Sequence, residues 1–150
     1  MFLRRCARDG FLLPGRKLRA HAEIQSFLIG DDLGKQLNRQ ISFFGAGTAW
    51  LPVWSPTSDA VAFVSNESHN DEIWVAQKGE WPAIKLTHNK YEWDHHPSWS
   101  PDGKQLIFSS NRVTGKNGLW IMDADGGNER ELVKFEFEAW DPIWVKYTDQ

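Results

Sequence analysis

Apolar residues in this chain come in short runs separated by turns rich in Pro, Gly, Asp, Asn and Ser. In Ala60-Val61-Ala62-Phe63-Val64 and Gln105-Leu106-Ile107-Phe108-Ser109 apolar side chains fall on both faces of an extended segment, as in a strand covered on both sides. The 3.6-residue spacing of an amphipathic helix is missing from these segments. Just upstream of each run stands a Pro-x-Trp segment, Pro52-Val53-Trp54 or Pro97-Ser98-Trp99, predicted to end a preceding strand. Ser100-Pro101-Asp102-Gly103 joins the two as a turn, with Pro pre-set for the second position and Gly free to take a positive φ at the fourth. A third strand is predicted over Leu119-Trp120-Ile121-Met122, ending in the hairpin Asp123-Ala124-Asp125-Gly126-Gly127-Asn128, and a fourth over Arg130 to Lys134.

These landmarks recur. Trp54, Trp99 and Trp144 are each 45 residues apart, as are Phe63-Val64-Ser65-Asn66 and Phe108-Ser109-Ser110-Asn111. Ile73-Trp74-Val75 and Leu119-Trp120-Ile121 are 46 apart, so one residue is inserted between them. A four-stranded unit repeating every 40–45 residues is the signature of a β-propeller blade. The expected fold is therefore all-β, a partial propeller of four-stranded antiparallel blades. Phe27-Leu28-Ile29 and Asp31-Asp32-Leu33-Gly34-Lys35 echo the third strand and hairpin of an earlier blade, and Leu13-Pro14-Gly15 echoes a still earlier turn.

The run from Pro97 to Arg112, with its Ser-Pro-Asp-Gly turn, resembles the repeat of TolB-like propellers, and Leu119 to Leu132 resembles the second half of such a blade. The unit at residues 50–87 departs from it, with Thr57-Ser58 in place of Asp-Gly. If that position needs a positive φ, the missing Gly costs on the order of 1 kcal/mol. The unit at Trp144 is degenerate, since Val145-Lys146-Tyr147 stands where Ser-Pro-Asp would. The resemblance covers about residues 22–145 and implies a bacterial protein-binding platform, periplasmic or part of a sensor. The family's complete rings have six blades, so two readings stand side by side: two copies of about three blades close one ring as a two-fold dimer, or the chain is a fragment of a longer product. Related propellers also cap prolyl-oligopeptidase-like peptidases, which leaves a second reading open.

Charge divides the chain in two. Residues 1–21 carry Arg4, Arg5, Arg8, Arg16, Lys17 and Arg19 against Asp9, a basic segment of +5, whereas the whole chain is −3. Residues 22–150 form the propeller part. Phe11-Leu12-Leu13 is too short for the apolar core of an export signal, and no run approaches the roughly 20 residues of a membrane span. The acidic balance speaks against a nucleic-acid partner. With Cys6 the single cysteine, no disulfide forms within the chain.

Enzyme chemistry finds no support in the motifs. The sequence has no Gly-x-Ser-x-Gly elbow. Asp123-Ala124-Asp125 lacks the Gly and Glu of a calcium loop, and Gly30 to Gln36 is too short for a phosphate loop. No cofactor is expected. Asp94-His95-His96 places three metal-capable residues together, but alternation along a strand lets at most two converge, which suits a polar loop entering the first strand. Trp54, Trp74, Trp99 and Trp120 keep the repeat period and are assigned to the core. Trp50, Trp81, Trp93 and Trp140 fall outside it and are assigned to exposed contact. The sequence thus predicts a non-enzymatic scaffold whose partner-binding residues are Asp94, His95, His96, Trp93 and Trp140. A sugar-binding propeller using Trp93 or Trp140 ranks third, behind the peptidase propeller.

Overall fold

The computed structural model describes residues 25–28, 37–40, 47–77, 80–113, 115–133 and 136–145, with backbone only at 25–28, 37–40, 80 and 81. The basic segment 1–21, the echo at Leu13 and the side chain of Trp81 lie outside the described residues. Among the described residues ten strands run in order: β1 (Gln25–Leu28), β2 (Leu37–Gln40), β3 (Ala49–Trp54), β4 (Ala60–Ser65), β5 (Glu72–Gln77), β6 (Glu80–Lys85), β7 (Asp94–Trp99), β8 (Gln105–Ser110), β9 (Gly118–Asp123) and β10 (Arg130–Val133). They form two four-stranded antiparallel sheets, β3-β4-β5-β6 and β7-β8-β9-β10, and an antiparallel pair, β1-β2. Each four-stranded sheet is a meander in sequence order, as the repeat requires.

The sheets stack as blades. Strand β7 packs on β3, β4 and β5, while β6 and β10 pack only within their own sheets, so the blades fan out from the side of β3 and β7. Between them lies a core of Ala60, Ala62, Val64, Ile73, Leu86, Trp99, Leu106, Phe108 and Met122. The alternate residues Val61 and Phe63 turn to the other face of β4 and pack with Ala49 and Ala76. A strand that is apolar from Ala60 to Val64 thus feeds two separate cores.

The tryptophans divide as the period suggests, with one exception. Trp99 is buried, and Trp54, Trp74 and Trp120 are half-buried against the cores. Trp50, expected in an exposed position, is half-buried too and packs on the inter-blade cluster.

Both hairpin loops that follow the Trp close on the same bond, Ser55 N–H to the Ala60 carbonyl (2.8 Å) and Ser100 N–H to the Gln105 carbonyl (2.9 Å). In the second, the Ser100 hydroxyl donates to Asp102 (2.6 Å) and the Lys104 N–H adds a weaker bond, and the two hold the Asp102 carboxyl below its ordinary pKa. Gly103 takes φ +70° there, but Ser58, its counterpart, stays out of the left-handed region. The Ser55 hydroxyl instead accepts from the N–H groups of Thr57 (3.4 Å) and Ser58 (3.3 Å), so the expected cost of the missing Gly does not arise.

At Gly103 a Cβ would also collide with Thr57 of the neighbouring turn, whereas Gly115, at φ +71°, faces open space. Gly115→Ala should therefore cost about 1 kcal/mol and Gly103→Ala about 2 kcal/mol or more, read from urea midpoints.

Candidate functional site at the rim of the inner strands

Strands β3 and β7 are edge strands, and each carries its Pro where a central strand could not. The residue before that Pro is left-handed in each of the three repeats described there: Leu51 at φ 50°, His96 at 54° and Asp141 at 48°, spaced 45 residues apart. The pairing register shifts at the same places, between Trp50 and Val53 and between His95 and Ser98. Each inner strand therefore bulges at its Pro. A left-handed conformation costs a non-Gly residue about 1–2 kcal/mol, and such strain gathers at functional positions.

The bulge changes what the side chains can meet. Asp94-His95-His96 lies inside β7, not in a loop before it, and strict alternation fails at the left-handed residue. The rings of His95 and His96 come to 5.8 Å, centroid to centroid. His95 meets Trp50 edge-on at 6.3 Å and stacks on Trp93 at 6.4 Å, while His96 meets Trp140 edge-on at 6.4 Å. A belt of rings, Trp50–His95–His96–Trp140, thus crosses three successive repeats. Trp93 and Trp140 remain 52% and 49% exposed.

Two acids that the sequence reading passed over hold the belt. Asp71, in the loop between β4 and β5, pairs with His95 Nε2 at 2.8 Å, and Asp141 pairs with His96 Nε2 at 2.9 Å. Each histidine therefore ties one repeat to the next. Their spacing from the histidines, 24 and 45 residues, hid them; the 45-residue period alone pointed to Asp141.

Of the five residues singled out, Trp93, His95, His96 and Trp140 meet in this rim. Asp94 sits beneath it with 0% exposure. Its Oδ2 accepts from Arg112 Nη2 (2.6 Å) and from Asn89 Nδ2 (2.7 Å). Arg112 also pairs with Glu129 (2.7 Å), donates to the Ser110 hydroxyl (2.9 Å) and lies over the Trp120 ring at 4.3 Å. Burial alone would lower the pKa of Arg112, but Asp94 and Glu129 outweigh it and raise it above its ordinary value. On the other side, Asn89 bridges to buried Glu72, which also accepts from the Thr87 hydroxyl at 2.7 Å. Burial, with Asp94 nearby, pushes the Glu72 carboxyl above its usual range against the pull of Thr87 and Asn89. This chain of polar groups is a girder under the rim. Among the described residues no group of three His, Cys, Asp or Glu side chains is arranged to hold a metal ion.

Burial lowers the pKa of His96 below its ordinary 6.5, with His95 adding to this and Asp141 opposing it. The unfolded chain then binds the proton more tightly than the folded one. The His96 contribution to stability should be complete above pH 6.5 and lost as the pH falls through the lower folded value. Urea midpoints between pH 7.5 and 5 should show this slope in the wild type and a flatter one in His96→Gln.

Comparison with known proteins supports the architecture. The model of the TolB beta propeller domain family matches residues 25–144. The protein described as uncharacterized peptidase YuxL of Bacillus subtilis is 28% identical over 62% of this chain, a stretch that makes up 15% of that protein. A Tol-Pal system protein TolB of Pelagibacter ubique is 42% identical over 39% of this chain and 14% of its own length. A solved structure from Agrobacterium tumefaciens, described as a TolB, superposes with a TM-score of 0.55 at 26% identity, covering 68% of this chain and 38% of that one. The chain thus spans about one seventh of the two curated relatives.

Proposed function

We propose, from the premise that this chain belongs to the TolB beta propeller domain family, that it is a non-enzymatic module which binds a protein through the rim of Trp93, His95, His96 and Trp140. The observation that carries this reading is the ring belt, half-exposed, beside the left-handed residues Leu51, His96 and Asp141 of successive repeats. Aromatic side chains held rigidly at a surface are the usual anchors of protein interfaces. Asp94 acts beneath the rim as a positioning residue, since it is buried and paired to Arg112. The Tol-Pal system proteins among the relatives favour a place in the bacterial envelope.

A photo-reactive residue at position 93 or 140, in the chain expressed in a bacterial host, should give a discrete protein adduct. The same residue at position 84, exposed on the outer strand β6, should not. Equal labelling at all three positions would overturn the reading.

A second reading rests on the peptidase relative, matched over 62% of this chain. In it the blades form the propeller of a larger peptidase and the rim screens peptides on their way to a hydrolase domain. A hydrolase domain with a Gly-x-Ser-x-Gly elbow in the same reading frame would favour it. The solution mass of the purified chain separates self-association of two copies from action as a single copy.

A further inference from the structure

The rim's surroundings bear on what it binds, and the inference drawn from them rests on the rim being the docking surface. By strand direction, the loop before β7, the loop between β8 and β9, and residues 136–141 all lie at the end where β7 begins. Ala139 N–H donates to the Asn117 carbonyl at 2.8 Å and fastens the last of these segments to the second. Beside Trp93 and Trp140, this end presents Tyr91 at 83% exposure and Phe137 at 67%. Carboxylates alternate with the rings: Glu92 precedes Trp93, Glu136 and Glu138 flank Phe137, and Asp141 follows Trp140. Glu136 and Glu138 are exposed. The fixed cations among these segments are Lys90, Arg112 and Lys116, fewer than the four acids, and Arg112 is already paired with Asp94 and Glu129.

The chain already shows what such a combination holds. Arg112 lies over the Trp120 ring with carboxylates of Asp94 and Glu129 on its guanidinium. An aromatic face attracts a cation through its quadrupole, and a neighbouring carboxylate fixes the cation's position. The rim offers the same two elements to solvent, in several copies.

We infer that the rim takes a cationic segment of a partner protein, with arginine side chains laid against Trp93 and Trp140 and flanked by Glu92, Glu136 and Glu138. Arginine fits better than lysine because its planar guanidinium stacks on a ring and pairs with a carboxylate at the same time. The other occupant considered, a second copy of the chain, is an outcome of the test.

The test titrates the full chain with a fluorescein-labelled peptide of alternating arginine and glycine, followed by anisotropy, beside lysine and glutamate peptides of equal length. The arginine peptide should bind, the lysine peptide several-fold more weakly and the glutamate peptide at least tenfold more weakly. Trp93→Ala and Trp140→Ala should each weaken binding about threefold, and the double variant about tenfold. Glu136→Gln/Glu138→Gln should weaken it and make it less sensitive to salt. Ile84→Ala, on the outer strand, should bind as the wild type does.

Equal binding of the arginine and glutamate peptides, or unchanged binding by the double tryptophan variant, would overturn the inference. So would a dimer that the double tryptophan variant breaks and excess arginine peptide leaves intact, which would give the rim to a second copy. If photo-crosslinking at positions 93 and 140 succeeds while the arginine peptide is ignored, the docking rim stands and its preference for cations falls. If both fail, the rim itself is abandoned.

Discussion

Replacing Arg112 with alanine should lower the unfolding free energy by about 3–5 kcal/mol, the usual result of removing one partner of a buried ion pair. The loss comes less from the pair's attraction than from what is left behind. Asp94 has no exposure, so its carboxylate would keep only the Asn89 amide. Glu129 and the Ser110 hydroxyl would lose the same guanidinium, and Trp120 the cation over its ring. Because Asn89 also bonds Glu72, the disturbance should reach the first blade. Urea unfolding followed by tryptophan fluorescence measures the loss. The double variant Asp94→Ala/Arg112→Ala should be more stable than the sum of the two single losses implies, since neither charge is then stranded. Strict additivity would mean that the girder is not a unit.

Trp99→Ala should be about as damaging, again about 3–5 kcal/mol, through a different cause. Trp99 is buried in the cluster between the blades, where the small side chains of Ala60 and Ala62 from the first blade share the space with it. Its indole Nε1 donates to the Val53 carbonyl at 3.1 Å, so one residue supplies both packing and a hydrogen bond across the blade boundary. Removing it opens a cavity and forfeits that bond. Trp99→Phe keeps most of the packing and loses the bond, and should cost about 1–2 kcal/mol. Should the two variants prove equally unstable, the bond rather than the volume would be the larger contribution.

The repeat was legible because a blade asks for the same residue types at the same places: a Trp at the end of the first strand, a Ser-Pro turn, an apolar second strand. Residues that serve one role per blade announce themselves by period. The rim was only half legible. Trp93, His95, His96 and Trp140 stand out as aromatic and polar residues at the mouth of a repeat, but alternation along a strand would send His95 and His96 to opposite faces. The bulge at His96 overrides that rule, and the same bulge at Leu51 accompanies the packing of Trp50 on the core. No residue type in Leu, His or Asp declares a left-handed backbone; the recurring Pro after each is the only local mark. The girder was not legible at all. Arg112 meets Asp94 across 18 residues and Glu129 across a hairpin, and such pairs depend on how strands are placed side by side.

The prolines of the inner strands have a consequence for how the molecule meets others. Every sheet ends in two strands whose outer N–H and C=O groups can recruit an extended segment from another chain, the first step toward fibres. Pro52 in β3 and Pro97 in β7 each remove a donor from such an edge, and the bulge beside each bends the strand away from a flat template. Pro82 does the same in the middle of β6, and β10 is only four residues long and begins with Arg130 and Glu131. All four edges of the two sheets are blunted. Blades can be stacked face against face without the sheets growing sideways, so this chain should accept visitors at its rim while refusing new strands along its flanks.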